Sequence, residues 1–111
     1  MAKPFKDGPA YMDATSEDMY TAPTGQYAMV RHIHVCNKDT VTRTFTIWLG
    51  ATGAEAGGTE ITGLDHSLDA GKEADFYWPE GLQITTSDFL VGKASSASKL
   101  TVLITGELYA A

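Results

Sequence analysis

Hydrophobic and polar positions alternate in short runs along most of the chain, and no run keeps a helical period. The longest run, Gln26 to Asn37, places Tyr27, Met29, Arg31, Ile33 and Val35 on one side. Ala28, Val30, His32, His34 and Cys36 fall on the other. The odd-numbered side reads as the core side, Arg31 apart. Arg43 to Leu49 follows, with Phe45, Ile47 and Leu49 alternating against Thr44, Thr46 and Trp48. The polar connection Asn37-Lys38-Asp39-Thr40 between these runs predicts a β-hairpin. Before them, Met19-Tyr20-Thr21 is a brief strand signal that stops at Ala22-Pro23-Thr24-Gly25. After them, Gly50 to Gly58 reads as an exposed flexible loop. Candidate strands follow at Thr59–Thr62, Glu73–Trp78, Leu82–Thr85, Phe89–Gly92 and Leu100–Leu108, with Leu103 interrupting the polar side of the last. The stretch with Asp65, His66, Asp69 and Gly71 reads as a loop.

These elements predict an all-β chain of about eight strands and no helix. Strands at this spacing favour an antiparallel β-sandwich or a jelly-roll-like fold. An up-and-down barrel carries the same strand signals, so strand order stays open. Residues 1–17 read as an extended N-terminal arm, because Pro4, Gly8 and Pro9 break regular structure. Residues 18–111 then form a single β-sandwich domain. The arm carries Phe5, Tyr11 and Met12, more apolar bulk than a solvated tail needs. It is expected to lie over a neighbouring subunit or back over its own domain, and its removal is expected to leave the domain folded.

Charge narrows the partners. The 111 residues hold 14 acidic and 8 basic side chains, a formal net charge of -6, and the basic residues do not cluster. Nucleic acid is therefore not an expected partner. The single cysteine, Cys36, allows no intrachain disulfide and no Cys-based zinc site, which fits synthesis in a reducing cytosol. The first residues hold no apolar core of a signal peptide, and no apolar stretch approaches the length of a membrane span. No membrane association is expected.

Three groups of residues could carry chemistry. His32-Ile33-His34 puts two imidazoles on one strand face and resembles the start of a cupin metal site. The pattern lacks the glutamate that should follow within a few residues, and His66 stands in a loop, so neither a metal nor a cofactor is expected. Glu73, Asp75 and Glu80 are carboxylates that a glycosidase could use across a cleft, but nothing in the sequence pairs them. No nucleophile elbow, P-loop or dinucleotide fingerprint occurs. An enzyme is not expected. Trp48, Tyr77 and Trp78, if gathered on an outer face, would form a sugar-stacking platform, which is the carbohydrate-binding alternative.

A family resemblance runs through Tyr20-Thr21-Ala22-Pro23-Thr24-Gly25, Ala28 to Asn37, Thr44 to Gly50, Asp88 to Gly92 and Thr105-Gly106-Glu107. These stretches resemble short virion structural proteins of tailed double-stranded DNA bacteriophages, over about residues 18 to 108 and without the arm. The resemblance implies a β-sandwich without catalytic residues, made in the host cytoplasm and built into the virion. It implies a capsid decoration (cement) protein that binds the major capsid protein, commonly as a trimer, or a protein of the tail or neck. In that reading Phe5, Tyr11, Met12, His32 and His34 are the interface candidates.

Overall fold

The computed structural model describes residues 2–50, 60–63 and 65–110. The glycine-rich stretch expected as an exposed loop lies almost wholly outside them. Eight strands form: β1 (Lys3–Tyr11), β2 (Glu17–Tyr20), β3 (Gln26–Asn37), β4 (Arg43–Gly50), β5 (His66–Leu68), β6 (Glu73–Ile84), β7 (Phe89–Ala94) and β8 (Leu100–Ala110). They make two four-stranded sheets, ordered β1-β8-β3-β6 and β2-β7-β4-β5, with every strand pairing antiparallel. This interleaved order is that of a jelly roll, one of the alternatives that the strand signals allowed. Between the sheets lies the core, including Val30, Ile33, Val35, Phe45, Ile47, Ile84, Leu90, Leu100, Val102 and Ile104.

The N-terminal segment is extended but is not an arm outside the domain. Lys3–Tyr11 is the edge strand β1, hydrogen-bonded along β8, and Met12 is only 1% exposed in the core. Prolines mark a break inside a central strand but are accommodated on an edge, which is where Pro4 and Pro9 lie. A register shift between Asp7 and Ala10 obscures the alternation further. Removing residues 1–16 would strip an edge strand and Met12, so the remainder is not an intact sandwich.

Nor do β3 and β4 form a hairpin: they are consecutive in sequence and lie in different sheets. The buried Asn37 side chain redirects the chain. Its Nδ2 donates to the carbonyls of Val41 (3.0 Å) and Leu68 (2.9 Å), and its Oδ1 accepts the Asp39 N–H at 2.8 Å. Asp39 in turn holds Arg43 at the start of β4 (Nε to Oδ2, 2.6 Å). The Thr40 N–H first, and then Arg43, keep the Asp39 carboxyl below the usual carboxylate range.

Three other differences have simple causes. β5 forms within the stretch expected as a loop, and three residues are too few for a periodic signal. The run expected at 59–62 is not a strand among the described residues. Glu60 makes an isolated bridge to Trp48, and the Ile61 N–H donates to the Ile47 carbonyl at 2.8 Å. Two expected runs, Glu73–Trp78 and Leu82–Thr85, join as β6 through Pro79-Glu80-Gly81.

The core side of β3 changes partway along. Ala28 and Val30 are buried at one end, Ile33 and Val35 at the other, whereas Tyr27 and Met29 lie outside the core. The cause is a β-bulge: Val30 pairs with Gly106 and His32 with Thr105, so Arg31 is one extra residue against β8. On the other side, Val30 pairs with Leu82 and His32 with Tyr77, so β6 bulges more widely at the same level. Arg31 spans the irregularity, with Nε on Glu107 Oε1 at 2.8 Å and Nη1 donating to the Pro79 carbonyl at 2.7 Å. Gly106 is required here, because a Cβ would collide with the Met29 carbonyl oxygen and lie 2.9 Å from the Val30 Cα.

Gly106→Ala is expected to destabilise the fold by ~3 kcal/mol, since backbone on the facing strand must move. Gly63→Ala, where among the described residues a Cβ meets only His66 Nδ1 at 3.8 Å, serves as the comparison in urea unfolding. Asp39 generates a pH-dependent counterpart. Its folded pKa is depressed, so its contribution is complete above the unfolded value of about 4 and is lost as pH falls through the folded one. Thermal melts of wild type and Asp39→Asn should differ near pH 6 and converge towards pH 2.

Candidate functional site

The outward face of the β1-β8-β3-β6 sheet carries the chemistry-bearing side chains in rows. Cross-strand pairing fixes the rows: Tyr11 faces Thr101, which faces Cys36, which faces Glu73. One step along, Leu103 faces His34 and His34 faces Asp75. In the next row Thr105 faces His32 and His32 faces Tyr77. Directly opposed side chains in antiparallel strands are in contact range, and long ones also reach their diagonal neighbours.

Both contact types occur. His34 Nδ1 lies 2.6 Å from Asp75 Oδ1, its direct partner, and His32 Nε2 reaches the same oxygen diagonally at 2.7 Å. The other nitrogen of His34, Nε2, lies 2.9 Å from Glu73 Oε1. The His32 ring stacks flat on Tyr77, with centroids 4.5 Å apart and planes 6° from parallel. Hydrogen bonds from His34 first, and then His32, hold the Asp75 carboxyl below the usual carboxylate range, against the opposing effect of its desolvation. Among the described residues, His32, His34 and Asp75 form a group whose potential ligand atoms all lie within 4.8 Å of one another. Beside it, Pro9, Ala10, Tyr11, Lys38 and Leu103 join His34, Cys36 and Thr101 around a shallow depression of about 340 Å³.

The sequence candidates separate into inward and outward sets. Tyr11 (56% exposed), His32 and His34 lie on this outer face. Met12 is in the core, and Phe5 stacks on Tyr20 with centroids 5.1 Å apart, so neither presents its side chain to a partner as the arm reading required. The three platform aromatics do not meet. Trp48 is buried in β4 with its side chain opposite Phe45 and Ile47, on the far sheet. Trp78 packs towards the core and Tyr77 points out from the neighbouring position. His66 is elsewhere, edge-on to Phe45 and Phe76. Glu73 and Asp75 alternate along one strand, and do not face each other across a cleft as a glycosidase pair would.

What sequence reasoning missed is the pairing of Asp75 and Glu73 with the histidines. Both carboxylates were visible, but they lie about forty residues from His34, and only the β3–β6 register joins them.

No protein-family model matches the chain, and no curated protein matches it. Among solved structures, it is similar to a chain of one described as "Structure of infectious bursal disease virus Gx strain", with a TM-score of 0.36 and 12% identity. The alignment covers 97% of this chain and 31% of that one, so the protein spans about a third of its neighbour's length. A likeness this loose carries no argument about function.

The dispersed aromatics generate a direct test. Trp48 is 4% exposed and Trp78 is partly buried, so titration with soluble cell-wall glycans is expected to leave tryptophan emission unchanged. A saturable spectral shift would restore the carbohydrate-binding alternative.

Proposed function

We propose that this protein is a non-enzymatic virion structural protein of a tailed double-stranded DNA bacteriophage. Its finer role is a capsid decoration protein that binds the major capsid protein and stabilises the head, as a homo-oligomer with a trimer favoured. The observation that carries the reading is the outward face of the β1-β8-β3-β6 sheet. It extends over four strands and displays Tyr11 and Tyr77, the latter 67% exposed. Large aromatic side chains left outside a well-filled core suit burial against another protein surface. The sequence resemblance supports the same role, and its stretches include turns and strand ends that maintain the fold. In Tyr20 to Gly25 the Pro23 carbonyl accepts the Gln26 N–H at 3.0 Å, and Asn37 makes the buried bonds described above. Tyr11, His32 and His34 remain interface residues in this reading, and repeated weak contacts over a shell supply the affinity.

Immunogold labelling of particles released by cells carrying the gene tests it. Gold over the heads is the expected outcome, and gold over tails or necks replaces decoration with the tail alternative. Purified particles free of label would overturn the virion assignment.

A further inference from the structure

We propose that His32, His34 and Asp75 bind a divalent transition-metal ion of the zinc class, with Glu73 orienting His34 from behind. The inference rests on the outer-face geometry and does not depend on the particle reading.

Two imidazole nitrogens on β3 converge on one carboxylate oxygen on β6: His34 Nδ1 at 2.6 Å and His32 Nε2 at 2.7 Å. Imidazole nitrogen with carboxylate oxygen is a donor set that suits zinc, nickel, copper or iron over calcium or magnesium. Zinc bonds to such atoms are ~2.0–2.2 Å long, which places neighbouring tetrahedral ligands roughly 3.3 Å apart. Opening each N···O contact by about 0.7 Å therefore makes room for the ion. Side-chain rotations of Asp75, which is 38% exposed, supply that movement, and both imidazoles must turn as well, because the ligand atoms now lie within 4.8 Å of one another and must close to that spacing.

The surroundings already match what supports a metal ligand. A ligating histidine usually donates its other ring N–H to a carboxylate, which sets the tautomer and ring plane. His34 Nε2 sits 2.9 Å from Glu73 Oε1, leaving Nδ1 for the ion. Without a metal, His34 donates to both carboxylates only when doubly protonated. A bound cation removes that requirement, because Nδ1 then gives its lone pair to the metal while Nε2–H stays on Glu73. The stacked Tyr77 holds the His32 ring plane. Three protein ligands leave an outward coordination position open to solvent.

The test is titration of the metal-free full chain with zinc by calorimetry, with cobalt as a spectroscopic stand-in. One equivalent of zinc is expected to bind at micromolar concentration, and cobalt should give visible absorption bands of a low-coordinate site. His32→Ala, His34→Ala and Asp75→Ala should each abolish uptake, and circular dichroism checks that the sandwich persists. Glu73→Gln should weaken binding by ~10-fold or more while retaining the cobalt spectrum. Should a variant fail to fold, the cobalt spectrum of the wild type still decides whether nitrogen and oxygen ligands surround the ion. Absence of stoichiometric binding, or binding that survives in folded His32→Ala/His34→Ala protein, would overturn the proposal.

Discussion

The bulge at Arg31 is the constraint on which the rest of the molecule depends. β3 lies between β8 and β6, so its alternation sets which residues of the central strands face the core. Without an extra residue, a strand burying Ala28 and Val30 would also bury His32 and His34 and expose Ile33 and Val35. The bulge reverses the phase, so aliphatic side chains face inward along both halves of the strand. The same step sends both histidines outward. Core and candidate site therefore share one backbone irregularity, held by Arg31 bridging Glu107 and Pro79 and by the close backbone approach at Gly106.

The sandwich must also be closed along its two open sides, and aromatic pairs across the sheets do this. On the β1/β2 side, Phe5 stacks on Tyr20, whose hydroxyl pKa is raised by burial and then by the charge of Asp7. On the β6/β5 side, Phe76 meets His66 and Phe45 edge to face. Each pair joins strands that share no hydrogen bonds, so side-chain packing alone links them there. This accounts for Phe5 and His66, which looked like spare functional residues in a linear reading. Both are structural closures.

With those residues assigned to the fold, the functional character concentrates on one sheet face. Tyr11, Leu103, Cys36, His34, His32 and Tyr77 occupy successive rows there, with Glu73 and Asp75 alongside. Exposed aromatic area lies there next to two imidazoles bonded to carboxylates. A protein interface would use Tyr11, His32 and His34, and a metal ion would use the two histidines with Asp75. Tyr77 stands in the His32 row and stacks on that ring, so the two uses meet at one place on the face.

Local pattern determined much of this protein by itself. Gln26–Asn37 and Arg43–Leu49 were legible as strands because alternation and β-branched residues act within a few positions, and the jelly roll stood among the folds allowed. The identity of the chemical groups was legible too, in His32, His34, Glu73 and Asp75. Tertiary structure decided which strands pair, and so which residues meet. It converted an apparent arm into β1, because an edge strand accommodates prolines that local rules treat as breaks. It separated β3 from β4, because Asn37 at the end of β3 binds the Val41 carbonyl in the turn and the Leu68 carbonyl of β5. It inverted the core side of β3 at a bulge that depends on the facing strands. It also brought Asp75 to His34, since register between strands distant in sequence is set by packing of the whole core and leaves no mark in either strand alone.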